Sequence, residues 1–572
     1  MKFHRTRPPA AVWLSALFAV SALCSTAQDS NSPGISIQPI TYRQPMGIYA
    51  RYTAGCGSDE CIKNEAYALV SVYGIAGIDA ALGWKNLNPA EDTYVWTDPS
   101  AVNELQDIFD GVDEWNRENP TATPKTVQLD INAGFNAPQW VFNKLASCDP
   151  MFGYWTPGTL FTNPVYHQYS SPEPSLVPKD CGKATFLESE SHDDPQLLPL
   201  PLPWNPTYKK YWAKFIHALA LQYGNNPDLV SISIDGPTAS SAEMILPNES
   251  NDPNDFYKWN PLMGLTLPLS YQNTDQIFIE EWEKAIDLFS REFSGMTLAL
   301  STGNGLPNFP NPSFPNTEAI VPAKFQPVCQ DPSITTDHPS GDLMDCVAES
   351  TIVDYLADAS HGGNNLKSVQ EDGIAAAGVY HSPLGGGNLG SYGIRWWALI
   401  SQSGSAVLPD SGGEPISRMM GGFQSGGIIA ANATDIAEQG CNEPLNPCGT
   451  INSEQALYNF LAAFFDGTSV AGVRGPGHVG IYCWGPYRDE YCVDYGPGIV
   501  SEGIPLNYLQ IYASDVAYYG QFNCPIIKND CSDDLVVTGN GETMYTQGPL
   551  QLDLAAQQLQ QIAEPPIVEF PF

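Results

Sequence analysis

Short β-type runs alternate with longer amphipathic stretches along this chain, the pattern of parallel strands joined by helices. Eight strand candidates follow from it: Pro45–Tyr52, Gly74–Leu82, Thr126–Gly134, Leu229–Gly236, Met296–Gly303, Leu366–Gly373, Ile416–Gln424 and Asn507–Val516. Gly480–Trp484 competes for the last place, but the later run leaves room for a closing helix. Between strands, Pro206–Gly224 carries Tyr211, Trp212, Phe215, Ile216 and Leu219 at helical spacing, and Gly224-Asn225-Asn226-Pro227 supplies the stop. Further helices are expected at Asp275–Phe293, Cys346–Ser360, Ser453–Gly467 and Leu550–Ala563. This inventory predicts an α/β fold, a single (β/α)8 TIM barrel whose loops after the strands carry the chemistry.

Length and composition suit that reading. A chain of 572 residues with 43% hydrophobic content buries a substantial core. Its 49 prolines and 50 glycines are scattered rather than gathered in a linker, so residues 28–572 are expected to form one domain with many loops. At the N-terminus, Lys2, Arg5 and Arg7 precede the apolar run Ala11–Leu23 and then Ser25-Thr26-Ala27, the order of a signal peptide spanning residues 1–27. Lipidation at Cys24 is set aside because bulky Leu23 stands where such cleavage sites want a small residue. No later apolar stretch is long enough to cross a bilayer, so a soluble secreted or periplasmic product is expected.

The twelve cysteines beyond Cys24 fall as sequence neighbours: Cys56 and Cys61, Cys148 and Cys181, Cys329 and Cys346, Cys441 and Cys448, Cys483 and Cys492, Cys524 and Cys531. They are expected to form six disulfide staples in loops, as an oxidising compartment permits. A zinc site is the competing reading, but the spacings are irregular and none of the eight histidines joins them. The formal net charge of −38 repels nucleic acid and anionic membranes, and favours neutral partners such as uncharged glycans. There is no Gly-rich phosphate loop and no G-x-S-x-G elbow, and His192-Asp193-Asp194 reads as an exposed acidic loop rather than a metal site. No metal or organic cofactor is implied.

Three segments carry a family resemblance. GIAGIDAALGWKNLNPAEDTYVW (74–96) pairs a strand with a Trp, an Asn-Pro step and the aromatics Tyr94 and Trp96. TVQLDINAGFNAPQWV (126–141) joins a strand to a Pro-x-Trp loop, and the run 204–247 joins a helix, a strand and a glutamate-bearing loop. Together they resemble the first half of the barrel in the large clan of glycoside hydrolases that contains cellulases and β-galactosidases. The second half is similar only in rhythm.

Glycosidic cleavage needs one carboxylic acid to protonate the leaving oxygen and a second carboxylate to attack or to activate water. The resemblance implies that Glu243, after the fourth strand, is the acid/base, although the clan's usual Asn before it is replaced by Ala242. The clan's second carboxylate ends the seventh strand, yet ISRMMGGFQSGG (416–427) contains none and closes its strand portion with Gln424. Glu371, at the end of the sixth strand, is the substitute candidate. Asp130 and Asp235 are further partners, each also explained as a buried, hydrogen-bonded barrel aspartate. Pyranose faces stack on aromatic rings, which makes Trp84, Trp140, Trp397 and Trp484 the candidate platforms and Asn132 and Gln424 the candidate hydroxyl partners. Trp212 and Trp282, at helical spacing, are expected in the core. The expected function is hydrolysis of an extracellular oligo- or polysaccharide. A non-catalytic glycan-binding barrel and an inverting enzyme with a more distant base are the alternatives, and sugar, linkage and oligomeric state stay open at this level.

Overall fold

Eight parallel strands close on themselves: β1 (Gly47–Thr53), β2 (Ile75–Gly83), β3 (Thr126–Asn132), β4 (Leu229–Ser233), β5 (Thr297–Gly305), β6 (Leu366–Ile374), β7 (Met419–Ser425) and β8 (Tyr508–Tyr512). Each pairs with the next in the chain, and β8 returns to β1 through Gly47↔Tyr508 to Arg51↔Tyr512. The barrel is therefore complete, a (β/α)8 fold. In this computed structural model the described residues are 43–53, 56–152, 173–188, 196–248, 252, 255–271, 274–307, 341–358, 361, 365–374, 405–407, 415–417, 419–425, 429, 457, 461, 481–483, 492–494, 507–521, 535–537, 543–545, 552–553, 555–557 and 559.

Helices α1 (Asp59–Val70), α2 (Glu104–Glu118), α3 (Pro206–Tyr223), α4 (Gln276–Glu292), α5 (Gly341–Ala357) and α6 (Ala513–Gln521) connect or follow the strands. In α3, Asn205 caps the N-terminus by accepting from the Thr207 and Tyr208 amides, and Pro206 occupies the first turn, where its missing N–H costs nothing. The helix buries Tyr208, Trp212, Phe215, Ile216 and Leu219 on one stripe. Trp282 of α4 is fully buried, as helical spacing predicted for it and for Trp212.

All eight strand candidates lie on barrel strands, with corrections at their ends. The expected run to Val516 stops at Tyr512, because Ala513 opens α6, whose Val516 and Tyr519 are buried one helical turn apart. The seventh strand begins at Met419, since Pro415–Ser417 pairs with Ser405–Val407 in a separate antiparallel pair. Ile481–Cys483, the competitor for the eighth place, pairs antiparallel with Cys492–Asp494 outside the barrel. The helix expected from Cys346 begins at Gly341.

Among the described residues two staples are formed, Cys56–Cys61 and Cys148–Cys181. Cys483 and Cys492 stand directly opposite each other in their antiparallel pair, with their side chains outside the described part. Cys346 lies in α5, its side chain likewise outside it, and Cys329, Cys441, Cys448, Cys524 and Cys531 lie outside the described residues.

The long connection from β3 to α3 contains an antiparallel hairpin, Lys183–Glu188 with Gln196–Pro201. Asp149 accepts from the Thr185 amide and hydroxyl, and the Lys258 ammonium donates to the Thr185 carbonyl at 2.8 Å. Asp252 accepts from the Leu187 and Asp255 amides. Burial, then the neighbouring Asp255 charge, pushes Asp252 up to about 7.

Side chains from β1, β3, β6 and β8 cross the barrel centre. Tyr508 donates to Gln370 Oε1 at 2.8 Å, Gln370 donates to Gln510 at 2.9 Å, and Gln510 donates to Gln128 on β3. Tyr49 meets Thr126 at 2.8 Å below them. Gly422 makes room for this crossing, because a Cβ there would stand 2.1 Å from the Tyr508 ring.

Two outcomes follow from this packing. Gly422→Ala is expected to destabilise the barrel by about 3 kcal/mol, measured by denaturant unfolding, because Tyr508 is buried and hydrogen-bonded and cannot step aside. Asp252, whose native pKa lies above its unfolded value, stabilises fully below about pH 4 and loses that contribution as pH rises through about 7. Asp252→Asn is therefore expected to raise Tm by about 2 °C at about pH 8 and leave it unchanged at about pH 4, read by thermal melts.

Candidate active site

Burial of charge decides the arrangement at the C-terminal half of the barrel. Arg51, on β1, donates to Asp79 on β2 at 2.7 Å and to Asp130 on β3 at 2.9 Å. All three side chains are buried, so the pairing must offset a large desolvation cost. Strand alternation supplies the geometry: 128, 130 and 132 share one face of β3, and Gln128 on that face reaches the barrel centre.

Asp235 follows directly after β4. Its Oδ2 accepts from the Ala133 amide at 2.7 Å, and the side chain is fully buried. Burial, reinforced by the charge of Asp130, raises Asp235 well above the ordinary carboxylate range. Asp130 is also raised by burial, against the lowering pull of Arg51. One guanidinium thus pairs with two aspartates, Asp79 and Asp130, and the charge of Asp130 bears on Asp235.

The path from Asp235 to Glu243 is an excursion out of the barrel edge. On the β4–β5 seam Ser231 pairs with Thr297 and Ser233 with Ala299, so a continued strand would set Asp235 opposite Ser301. Instead the chain loops out and Glu243 takes that place, Glu243↔Ser301, at the head of a short segment Glu243–Ile245 parallel to β5. The loop is held by Ala239 N donating to Ile245 O at 2.8 Å and Phe135 N donating to Ala239 O at 2.6 Å. Gly134, at φ +51°, is required there: a Cβ would meet Ala239 O at 2.0 Å. Glu243 itself is half-buried.

The other candidates are distributed unevenly. Asn132 ends β3, and Gln424 is buried near the end of β7 in register with Gln510. Glu371 stands in register with Thr302 and Phe423, at the start of a bulge in β6, with its side chain outside the described part. Trp84 is 0% exposed, enclosed by Trp140, Tyr208, Trp212 and Phe215, with its indole N–H donating to Asn88. Its ring faces protein on all sides. Trp140 is partly buried, edge-on to Trp84 and to Tyr211, and donates to the Asn88 carbonyl. Trp397 and Trp484 lie outside the described residues.

A cavity of about 500 Å³ opens beside this end of the barrel, between the loops after β2 and β3 and the hairpin, lined by Lys85, Phe135, Gln139, Phe142, Glu188 and Pro199 among others. Among the described residues no group of three or more His, Cys, Asp or Glu is placed to hold a metal ion, and no helix is long and apolar enough to cross a membrane.

Sequence reading missed Arg51 and Asp79. The available signal was a charged residue inside an otherwise apolar strand, which in a closed barrel marks a partnered interior site.

No protein-family model and no curated protein matches the chain. Among solved structures it is similar to the β-galactosidase from the psychrophilic Marinomonas ef1, with 10% identity, TM-score 0.27, and coverage of 90% of this chain and 60% of that one. The polyextremophilic β-galactosidase from the Antarctic haloarchaeon Halorubrum lacusprofundi gives 10% identity, TM-score 0.30, and coverage of 91% and 58%. The β-galactosidase from Bacillus circulans sp. alkalophilus gives 10% identity, TM-score 0.26, and coverage of 92% and 57%. The likeness is one of coarse fold, and the chain spans about three-fifths of the length of these three enzymes.

Arg51→Met tests the ion network. It leaves Asp79 and Asp130 without their guanidinium and is expected to cost about 3–5 kcal/mol at neutral pH. Urea unfolding at about pH 4 is expected to recover part of that loss, because the aspartates then take up protons.

Proposed function

We propose that this protein hydrolyses glycosidic bonds in an oligo- or polysaccharide outside the cell, with Glu243 as general acid/base. The observation that carries the reading is the register of Glu243. It occupies the place opposite Ser301 that a continued β4 would fill, at the strand ends where barrels of this class hold their chemistry. The neighbouring interior is lined by carboxylates and amides rather than apolar side chains, which suits a hydroxyl-rich ligand. Glu371, on β6, is the proposed second carboxylate. Export follows from the leader-like residues 1–27 and agrees with the two disulfides.

A second reading keeps the glycan and drops the chemistry. It is favoured by β7, where Met419–Ser425 carries no carboxylate and Gln424 takes the inward position near its end. In that case the barrel binds sugar without cleaving it.

Reducing-sugar release by the purified protein across plant, fungal and bacterial polysaccharides separates the two. Glu243→Gln is expected to lower release by about 10²–10⁴-fold with an unchanged melting temperature. Glycan binding by calorimetry with no reducing ends formed supports the binding barrel instead.

A further inference from the structure

Three separate pieces of chain build the cavity beside the barrel mouth. Lys85 comes from the loop after β2, Phe135, Gln139 and Phe142 from the loop after β3, and Glu188 and Leu198 from the hairpin. A volume of about 500 Å³ is that of a ligand pocket rather than a packing void.

The walls are held by the protein itself. The Trp140 indole donates to the Asn88 carbonyl at 2.9 Å, which joins the β3 loop to the β2 loop. Lys183, the first hairpin residue, donates to the Phe142 carbonyl at 2.7 Å, and the Cys148–Cys181 disulfide closes the hairpin's base. Leu198 stands opposite Phe186, which is fully buried and anchors that strand pair. Walls fixed in this way lose little freedom when a ligand enters.

Two hydrogen bonds set the cavity's place relative to Glu243. Phe135 N donates to Ala239 O at 2.6 Å, and Asn136 Nδ2 donates to Ser240 O at 3.3 Å. Ala239 and Ser240 belong to the loop that delivers Glu243, so the cavity wall and the proposed acid/base ride on adjoining loops.

The lining is amphipathic. Phe135, Phe142 and Leu198 supply apolar surface, Lys85 supplies a donor, Glu188 an acceptor, and the Gln139 amide both. A pyranose has the same division, with an apolar C–H face and a rim of hydroxyls that donate and accept. A wholly apolar ligand would cover Lys85 and Glu188 without replacing their water, and an ion of either sign would meet one like charge.

We propose that this cavity is an outer sugar subsite, which takes units of the glycan beyond those at Glu243 and makes the protein selective for oligosaccharides longer than a disaccharide. The inference rests on the glycan reading above and adds chain length to it. The hairpin between β3 and α3 is then the element that sets that length, and contacts remote from the cleaved bond supply the preference.

The test is calorimetry on the full chain carrying Glu243→Gln, which keeps the ligands intact, with cello-, xylo-, manno-, galacto- and laminari-oligosaccharides from disaccharide to hexasaccharide. In at least one series affinity is expected to rise about tenfold with length. Adding Lys85→Ala and Gln139→Ala, both at exposed positions, is expected to remove that gain while disaccharide affinity and melting temperature stay unchanged. Equal affinity at every length in all series, a gain that survives the two added substitutions, or no binding by any oligosaccharide overturns the proposal. Failure of the hydrolytic reading looks different: the gain and its loss on substitution are intact while the wild-type chain releases no reducing ends.

Discussion

Arg51 holds one positive charge inside a closed ring of strands, and the polar interior is organised around it. Its guanidinium bridges β1 to β2 and β3 through Asp79 and Asp130, so three consecutive strands are tied at the same level of the barrel. Bare, any of these charges would be costly to hold at such depth. Paired, they turn what is usually an apolar barrel filling into a polar one. Asp235 accepts from the Ala133 amide, and burial, then the charge of Asp130, push its proton affinity upward.

The same constraint shapes the mouth. A strand that ran on from Ser233 would place Asp235 opposite Ser301, but the chain leaves the barrel edge and returns with Glu243 at that position. Two carboxylates eight positions apart are thereby brought to one strand end, the first sunk into the barrel and the second half-buried. The loop that separates them is braced by the close approach of Gly134 to Ala239, so the β3 and β4 ends form a single unit. The hairpin from the β3–α3 connection then forms one wall of the neighbouring cavity, held by Asp149, Asp252 and Lys258.

Aromatic residues divide according to whether water can reach them. Trp84 follows β2 directly, where a sugar platform was expected, yet it packs under α3 against Trp212 and Phe215. The helix stripe that faces the barrel needed a large apolar partner, and an indole next to the strand met that need. Trp140 turns an edge toward the same cluster and hydrogen-bonds to the Asn88 carbonyl, which fixes the β3 loop to the β2 loop.

From the sequence alone came the eight strands, the main helices and the single barrel, because alternation and helical spacing are local consequences of which faces must be buried. The position of Glu243 just beyond the fourth strand was legible too, from the strand and turn that precede it. The network of Arg51, Asp79 and Asp130 was not, since its members are 28 and 79 residues apart and only closure of the sheet makes them neighbours. Nor was the burial of Trp84, nor the register that exchanges Glu243 for Asp235. Those depend on which side chains meet across the barrel, and a linear pattern carries the periodicity of each strand but not the shear that aligns one strand with the next.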